Sequence, residues 1–181
     1  MHNKGPVFDR PFAFFSIFEK ALRAAICKIV KNMKNQWNEF RLRVNIRVPI
    51  EKAYAAWSTP AGLESWFLRK AILKDNHYEW YWFGYSDDVV ERGTITAANG
   101  SNHFAFTFSL GCQVSISLYT EQEETIVELV ETGLPDDEAG VKHYVSDSKG
   151  WIFYLTNLKS VLEGGLDLRN RKVELTNVIT A

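Results

Sequence analysis

The residue in this sequence best placed to do chemistry is Glu131, which ends an alternating stretch of apolar and polar residues. Successive side chains of a strand point to opposite faces, so Glu131 shares its face with Val127 and Leu129. If that face points into the protein, burial raises the pKa of the carboxyl group, which could orient a polar ligand or act as a general base. If Ile126 and Val130 point inward instead, Glu131 is a solvated acid. The sequence leaves both registers open.

The other reactive side chains show no recognisable motif. The histidines are His2, His77, His103 and His143, and the cysteines are Cys27 and Cys112. Their spacing assembles neither a zinc site nor a disulfide framework, and unpaired cysteines suit a reducing cytoplasm. The chain also lacks a phosphate-binding loop, a dinucleotide-binding glycine motif and a nucleophile elbow. We therefore expect no metal, no cofactor and no catalytic residue, and a binding protein rather than an enzyme.

Aromatic side chains make up 14% of the 181 residues, which is unusually many. Large rings either fill a core or line a cavity that accepts a flat or apolar ligand. The candidates for lining such a cavity come from strands and from the last helix: Trp80, Trp82, Phe104, Phe106, Phe108, Tyr144, Trp151, Tyr154 and Leu155. Plain core packing is the alternative for each of them. Alternation puts Trp80 and Trp82 on one face of a strand without showing whether that face is the inner one.

These residues must be positioned by a long helix that the sequence predicts over Val141–Leu162. Apolar residues recur there every three or four positions, which is the spacing of one helix face. The apolar face predicted in this way includes Val141, Val145 and Ile152 as well as Trp151. Such a helix needs a sheet to lie across.

Seven short alternating segments predict that sheet. They are Phe40–Val48, Ala71–Leu73, Tyr78–Tyr85, Val89–Ala97, His103–Ser109, Val114–Tyr119 and Thr125–Glu131. Two short helices, Ile50–Trp57 and Ala61–Phe67, follow the first strand, and Thr59 is the expected N-cap of the second. This order predicts an α+β fold in which a curved antiparallel sheet wraps around the last helix.

Residues 1–38 differ from the rest in charge, with seven Lys or Arg and two Asp or Glu, a net +5 in a chain of net charge −1. Pro11–Met33 is expected to form a basic amphipathic helix. It could pack on the domain or a partner chain, support a homodimer, or lie on an anionic membrane surface. A natural start at Met33 is a further alternative. The overall charge gives no case for nucleic-acid binding, and no apolar run approaches the ~20 residues of a membrane span.

Two motifs resemble a known family. Residues 48–67, Val-Pro-Ile-Glu-Lys-Ala-Tyr-Ala-Ala-Trp-Ser-Thr-Pro-Ala-Gly-Leu-Glu-Ser-Trp-Phe, are similar to the opening signature of the AHSA-type branch of the START-like (SRPBCC) superfamily. That branch is named after the activator of the ninety-kilodalton heat-shock chaperone's ATPase. Its closing pattern is similar to Gly133-Leu134-Pro135 followed by Gly150-Trp151. The resemblance implies a helix-grip fold, as in the birch-pollen allergen, with seven strands and a hydrophobic cavity between sheet and helix.

The resemblance implies no catalytic residue, because relatives include lipid carriers, polyketide cyclases and chaperone regulators. The leading hypothesis is a non-enzymatic, cytoplasmic domain over residues 39–181 that binds a hydrophobic small molecule or lipid in the cavity. One alternative is a chaperone ATPase co-regulator that acts through its surface. Another is a cyclase- or hydrolase-like enzyme that uses Glu131 with Tyr144 or His143. The sequence specifies neither the ligand nor the oligomeric state.

Overall fold

The computed structural model describes residues 22–25, 37–172 and 174–175. The chain divides into two units, residues 1–36 and 37–181. In the first unit, residues 22–25 are helical, and the rest of the predicted Pro11–Met33 helix lies outside the described residues.

A seven-stranded antiparallel sheet forms the body of the second unit, which confirms the predicted fold class. The strands are β1 (Glu39–Ile46), β2 (Lys70–Lys74), β3 (His77–Tyr81), β4 (Val90–Ala98), β5 (His103–Phe108), β6 (Cys112–Glu121) and β7 (Glu124–Thr132). Their order across the sheet is β1-β7-β6-β5-β4-β3-β2. The first two strands are therefore the two edges, and the chain between them crosses the full width of the sheet.

Three helices cover the inner face of the sheet: α1 (Ile50–Ser58), α2 (Pro60–Trp66) and α3 (Glu138–Leu162). The predicted cap is confirmed, because the side chain of Thr59 accepts a 3.0 Å hydrogen bond from the backbone N–H of Gly62. Asp137 caps α3 in the same way through the N–H of Gly140, at 2.8 Å. None of the described helices is long and apolar enough to cross a membrane.

The outer face of β1 carries the arginines that the alternation predicted there. Arg41 pairs with Glu128, and Arg43 pairs with Glu121, so the exposed side of this edge is a row of ion pairs. Phe40 and Ile46 point the other way and are buried. The alternating pattern predicted the two faces of β1 correctly, because only one face of this strand is covered by the rest of the protein.

Strand β3 is shorter than the predicted Tyr78–Tyr85, because the chain leaves the sheet after Tyr81. Gly84 follows with a φ of 81°, a left-handed conformation that no strand continues. Tyr78 and Trp80 point inward and are 1% and 0% exposed. The structure thus settles which face of this strand is inner, and Trp82 lies beyond its end.

The predicted inner face of the long helix is wrong in part. Val141, Val145 and Ile152 are exposed, at 39%, 41% and 54%. The inner stripe instead passes through His143 and Asp147 before it reaches the apolar second half of α3. Residues three and four positions apart fit either of two overlapping stripes of a helix. Because the prediction used only the spacing of apolar residues, it assigned these three to the inner face, although they lie on the outer one.

A short segment after α3 folds back and forms hydrogen bonds with the end of α2. The Arg169 side chain donates to the backbone carbonyls of Leu68 (2.8 Å) and Ser65 (3.0 Å) and forms two hydrogen bonds with Asp167. Asn157 of α3 donates to the carbonyl of Trp66 at 2.6 Å. These bonds close the end of the helical layer nearest the C-terminal end of α3.

Candidate functional site

Glu131 lies on the inner face of β7 and is fully buried. Val127 and Leu129 share that face and are also buried, so the structure selects the inward register of the two that the sequence left open. The indole Nε1 of Trp151 donates a 2.7 Å hydrogen bond to Glu131 Oε2. One carboxylate oxygen is thereby fixed, and Oε1 has no hydrogen-bond partner among the described residues.

His143 and Asp147 lie beside this carboxyl group because they stand on the same stripe of α3 as Trp151. The three positions are four residues apart, which places them one above another on a helix. His143 Nε2 is 3.8 Å from Glu131 Oε1 and 2.9 Å from Asp147 Oδ2. The angles are not those of a hydrogen bond, so both Nε2 and Oδ2 are buried without a hydrogen-bond partner among the described residues.

Cys112 brings a thiol to the same place from the start of β6. It is a buried, free cysteine. Its Sγ atom, a carboxylate oxygen of Glu131 and a ring nitrogen of His143 all lie within 4.8 Å of one another. We call Cys112, Glu131, His143 and Asp147 the acid–thiol cluster.

Burial dominates the electrostatics of the acid–thiol cluster. It raises the pKa of Glu131, and the nearby charge of Asp147 raises it further. Burial also raises the pKa of Asp147, against the opposing effect of His143. The pKa of the Cys112 thiol is raised to about 11, mainly by burial and then by the charge of Glu131. Each group is therefore costly to ionise without a partner of opposite charge.

The residues predicted to line a cavity all lie in or against one apolar core. Trp80, Phe104, Phe106, Trp151, Tyr154 and Leu155 are buried, whereas Trp82, Phe108 and Tyr144 are partly buried. The Phe108 and Trp151 ring centroids are 5.4 Å apart, and those of Trp80 and Phe106 are 4.9 Å apart. Tyr144 packs edge-on against Phe40 and Trp37. Strand and helix residues that are distant in sequence thus meet around Trp151.

Sequence reasoning missed the contribution of the two short helices to this interior. The Phe67 ring stacks on Trp151 at 5.3 Å, and Trp57 lies 6.1 Å from the same indole. It also missed Cys112 and Asp147. The four-residue spacing from His143 through Asp147 to Trp151 was the available signal for Asp147, whereas nothing local identifies Cys112.

Two tryptophans place further unsatisfied polar atoms in the core. Nε1 of Trp57 and Nε1 of Trp80 are buried and have no acceptor among the described residues. A buried donor without an acceptor costs roughly 1–3 kcal/mol, so a hydrogen bond to either indole would stabilise the folded protein.

Two clefts lie away from the acid–thiol cluster. One, of about 520 Å³, is bordered by Arg47–Glu51, Thr120, Glu123 and Thr125. The other, of about 300 Å³, is bordered by residues of β2 and β3 such as Ile72 and Glu79. Neither includes a residue predicted to line the cavity.

Comparison with known proteins identifies a sequence family that agrees with the resemblance seen in the two motifs. The family model described as "Activator of Hsp90 ATPase homolog 1-like protein" matches residues 47–163. No curated protein matches the chain in sequence.

Solved structures share the fold at low sequence identity. Protein SSP2350 from Staphylococcus saprophyticus is 20% identical, with a TM-score of 0.63 over 72% of this chain and 96% of that one. The Aha1 dimer from Colwellia psychrerythraea is 19% identical, with a TM-score of 0.59 over 70% and 97%. DynU16, from the dynemicin biosynthetic locus, is 18% identical, with a TM-score of 0.61 over 74% of this chain and 50% of that one.

Proposed function

The chain belongs to the family of Activator of Hsp90 ATPase homolog 1-like proteins, and on that premise we propose that its domain binds a small apolar molecule between the sheet and α3. The ligand is a flat, mainly hydrocarbon compound that carries an oxygen able to accept a hydrogen bond. The observation that carries this proposal is the combination of stacked aromatic rings with buried indole N–H groups for which no described residue is an acceptor.

The chemistry of the interior defines what it would hold. Rings that meet at centroid distances of 3.9 Å (Tyr78 and Trp80) and 5.3 Å (Phe67 and Trp151) offer flat apolar surfaces. Nε1 of Trp80 lies among these rings and offers a donor to a carbonyl or hydroxyl oxygen. A mainly apolar site with a few fixed polar groups is the usual composition of a small-molecule site.

The first half of α3 offers a way in. Its inner residues His143, Tyr144 and Asp147 are only partly buried, whereas Leu155 and Leu158 of the second half are buried. The contacts that hold α3 to the sheet are therefore weakest at its N-terminal half, and local opening favours such poorly buried segments. A ligand would enter there, beside Trp151.

Native mass spectrometry of gently purified protein tests the proposal directly. We expect a species heavier by the mass of one small molecule, which disappears after denaturation. Protein stripped of that molecule should bind flat aromatic compounds with a carbonyl or hydroxyl group, and intrinsic tryptophan fluorescence should report the binding.

Two matched variants make this test specific. Trp80→Phe keeps a ring in the core but removes the donor, and binding should weaken about 5-fold, the value of one neutral hydrogen bond of about 1 kcal/mol. Trp37→Phe changes an indole that is 38% exposed, and it should leave binding unchanged. If neither purified nor ligand-exposed protein carries an added mass, or if both variants bind like the parent, the proposal is wrong.

The family's description also favours a second candidate, regulation of a chaperone ATPase through the protein surface, with or without a homodimer like that of the Colwellia protein. The exposed arginines of β1, Arg41 and Arg43, are the charged row that we would test. Stimulation of Hsp90 ATPase should survive Trp151→Phe and fail in Arg41→Glu/Arg43→Glu. Absence of stimulation by the parent protein would exclude this candidate, and light scattering would give the oligomeric state.

A further inference from the structure

We propose that the acid–thiol cluster is a binding site for a thiophilic divalent cation of the zinc class, with Cys112 Sγ, Glu131 Oε1 and His143 Nε2 as ligands. This inference goes beyond the proposed function, because it concerns an ion and does not depend on the apolar ligand. It also departs from the sequence-based expectation of no metal, which rested on the spacing of the histidines and cysteines along the chain.

The first support is convergence of unsatisfied atoms. Glu131 Oε1, His143 Nε2 and Asp147 Oδ2 are all buried without a hydrogen-bond partner among the described residues. Glu131 is fully buried, and its unpartnered oxygen lies 3.8 Å from the histidine nitrogen. Buried polar atoms nearly always have a partner, so three on one spot indicate an occupant that supplies several bonds at once.

The second support is charge. Glu131 and Asp147 are both acids, and no ion pair between described residues joins either of them to a lysine or arginine. Among the described residues His143 is the basic group nearest to both, at 2.9 Å from Asp147 and 3.8 Å from Glu131. A single imidazolium would carry one positive charge against two carboxylates, whereas a divalent ion would neutralise both.

The third support is the identity and distance of the donors. Thiolate, imidazole and carboxylate are the three ligand types of zinc, at about 2.3, 2.0 and 2.0–2.2 Å, so that ligand atoms lie about 3.3–3.7 Å apart around a tetrahedral ion. The three donor atoms here lie within 4.8 Å of one another, and a contraction of at most about 1.5 Å would bring them to that spacing. Asp147 Oδ2, 2.9 Å from His143 Nε2, is available for the fourth position.

Trp151 would position one of these ligands. Its indole holds Glu131 Oε2, so that only Oε1 of this carboxylate is free to face the ion. A hydrogen bond to the outer atom of a ligand commonly sets its orientation, and its loss weakens metal binding about 10–100-fold. Trp151 is therefore a positioning residue for the cation and does not touch it. Binding would release the thiol proton of Cys112 to solvent.

The experiment uses the full chain freed of metal by chelation, then titrated with Zn²⁺ in a calorimeter and with Co²⁺ in an absorption spectrometer. We expect one cation per chain. Cobalt should give the near-ultraviolet band of thiolate-to-metal charge transfer together with the visible bands of a four-coordinate ion.

The variants identify the ligands. Cys112→Ser should abolish the charge-transfer band, and His143→Gln should weaken Zn²⁺ binding by at least about 10-fold. Cys27→Ser and His77→Gln remove the same residue types elsewhere, and both should leave the spectrum and the affinity unchanged. Circular dichroism of each metal-free variant shows whether it is folded.

Three results would overturn the inference. These are no uptake of Zn²⁺ by the folded parent, a charge-transfer band that survives Cys112→Ser, and a band that disappears in Cys27→Ser. Because ion content and retained small molecules are measured separately, the cation inference can fail while the proposed apolar ligand stands, or the reverse.

Discussion

Trp151 of α3 and Glu131 of β7 are joined by a 2.7 Å hydrogen bond in the protein interior. This bond ties the long helix to β7, the strand next to the edge strand β1, through a polar contact that has a defined direction. Trp151 also stacks on Phe67, so one indole connects the sheet, α3 and the end of α2. Its replacement should therefore disturb stability more than any comparable change on the outer side of α3.

Trp151→Ala should lower the free energy of unfolding by about 3–5 kcal/mol, the usual range for emptying a large aromatic site in a core. The change also leaves Glu131 Oε2 without its donor. Ile152→Ala is the matched control, because Ile152 is the next residue and 54% exposed, and it should cost no more than about 0.5 kcal/mol. Urea unfolding measures both, and equal losses would show that the inner face of α3 has been assigned wrongly.

Arg169→Ala should destabilise the protein by about 2–4 kcal/mol, because it removes two hydrogen bonds to Asp167 and leaves the backbone carbonyls of Leu68 and Ser65 without this donor. The Arg169 side chain is 2% exposed. Arg171 pairs with the same Asp167 but is 61% exposed, so Arg171→Ala should cost about 0–1 kcal/mol. Thermal unfolding of the two variants checks this difference. A larger loss for Arg171→Ala would contradict it.

The hydrogen bonds of Glu163 should make the stability of the protein depend on pH. Hydrogen bonds from the Arg47 side chain and backbone lower the pKa of Glu163 from 4.5 to about 2. A carboxyl group with a lowered pKa stabilises the folded state above its unfolded pKa, and that contribution is lost as the pH falls towards the folded value. Glu163→Gln should therefore be less stable than the parent at pH 6.

The difference in unfolding free energy between this variant and the parent should shrink as the pH falls from 4.5 towards 2. Glu138→Gln removes an acid that is 86% exposed and makes one i,i+4 ion pair, and it should change stability little. Urea unfolding at a series of pH values measures these differences. A Glu163→Gln difference that stays constant down to the folded pKa would refute the assignment.

Two glycines should respond to alanine in opposite directions. A Cβ at Gly93 would lie 2.5 Å from the hydroxyl oxygen of the buried Tyr78 and 2.6 Å from its ring, so Gly93→Ala should cost about 1–3 kcal/mol. A Cβ at Gly150, inside α3, meets no atom of the described residues within 4 Å, so Gly150→Ala should stabilise the helix by about 0.5–1 kcal/mol. Chemical denaturation measures the change in unfolding free energy for both variants. If both variants are stabilised, or both destabilised, the packing described for these two glycines is wrong.

Local patterns predicted the elements of this fold well and their orientation less well. Alternation placed Phe40 and the arginines of β1 correctly, because water covers one face of that strand. It overran the end of β3, because the chain leaves the sheet after Tyr81, three residues before the left-handed Gly84. On α3 the inner stripe begins with His143 and Asp147. Because these residues are polar, the spacing of apolar residues could not identify them as part of the inner face.

The acid–thiol cluster shows why the site was harder to predict than the fold. Whether Glu131 points inward depends on the pairing of β7 with β6, where it stands opposite Val114. Whether His143 reaches it depends on where α3 crosses that pair of strands. These are long-range placements, and no spacing along the chain from Cys112 to His143 encodes them.

The position of β1 at the sheet edge next to β7 has a consequence for synthesis on the ribosome. Of the seven strands, β1 (Glu39–Ile46) leaves the ribosome first, but its hydrogen-bonding neighbour in this sheet, β7, is the last strand to be made. The loop that must close is long, and such non-local pairing slows folding. Until β7 leaves the exit tunnel, the nascent chain displays an unpaired strand with one apolar face, and this is the interval in which it is most exposed to aggregation.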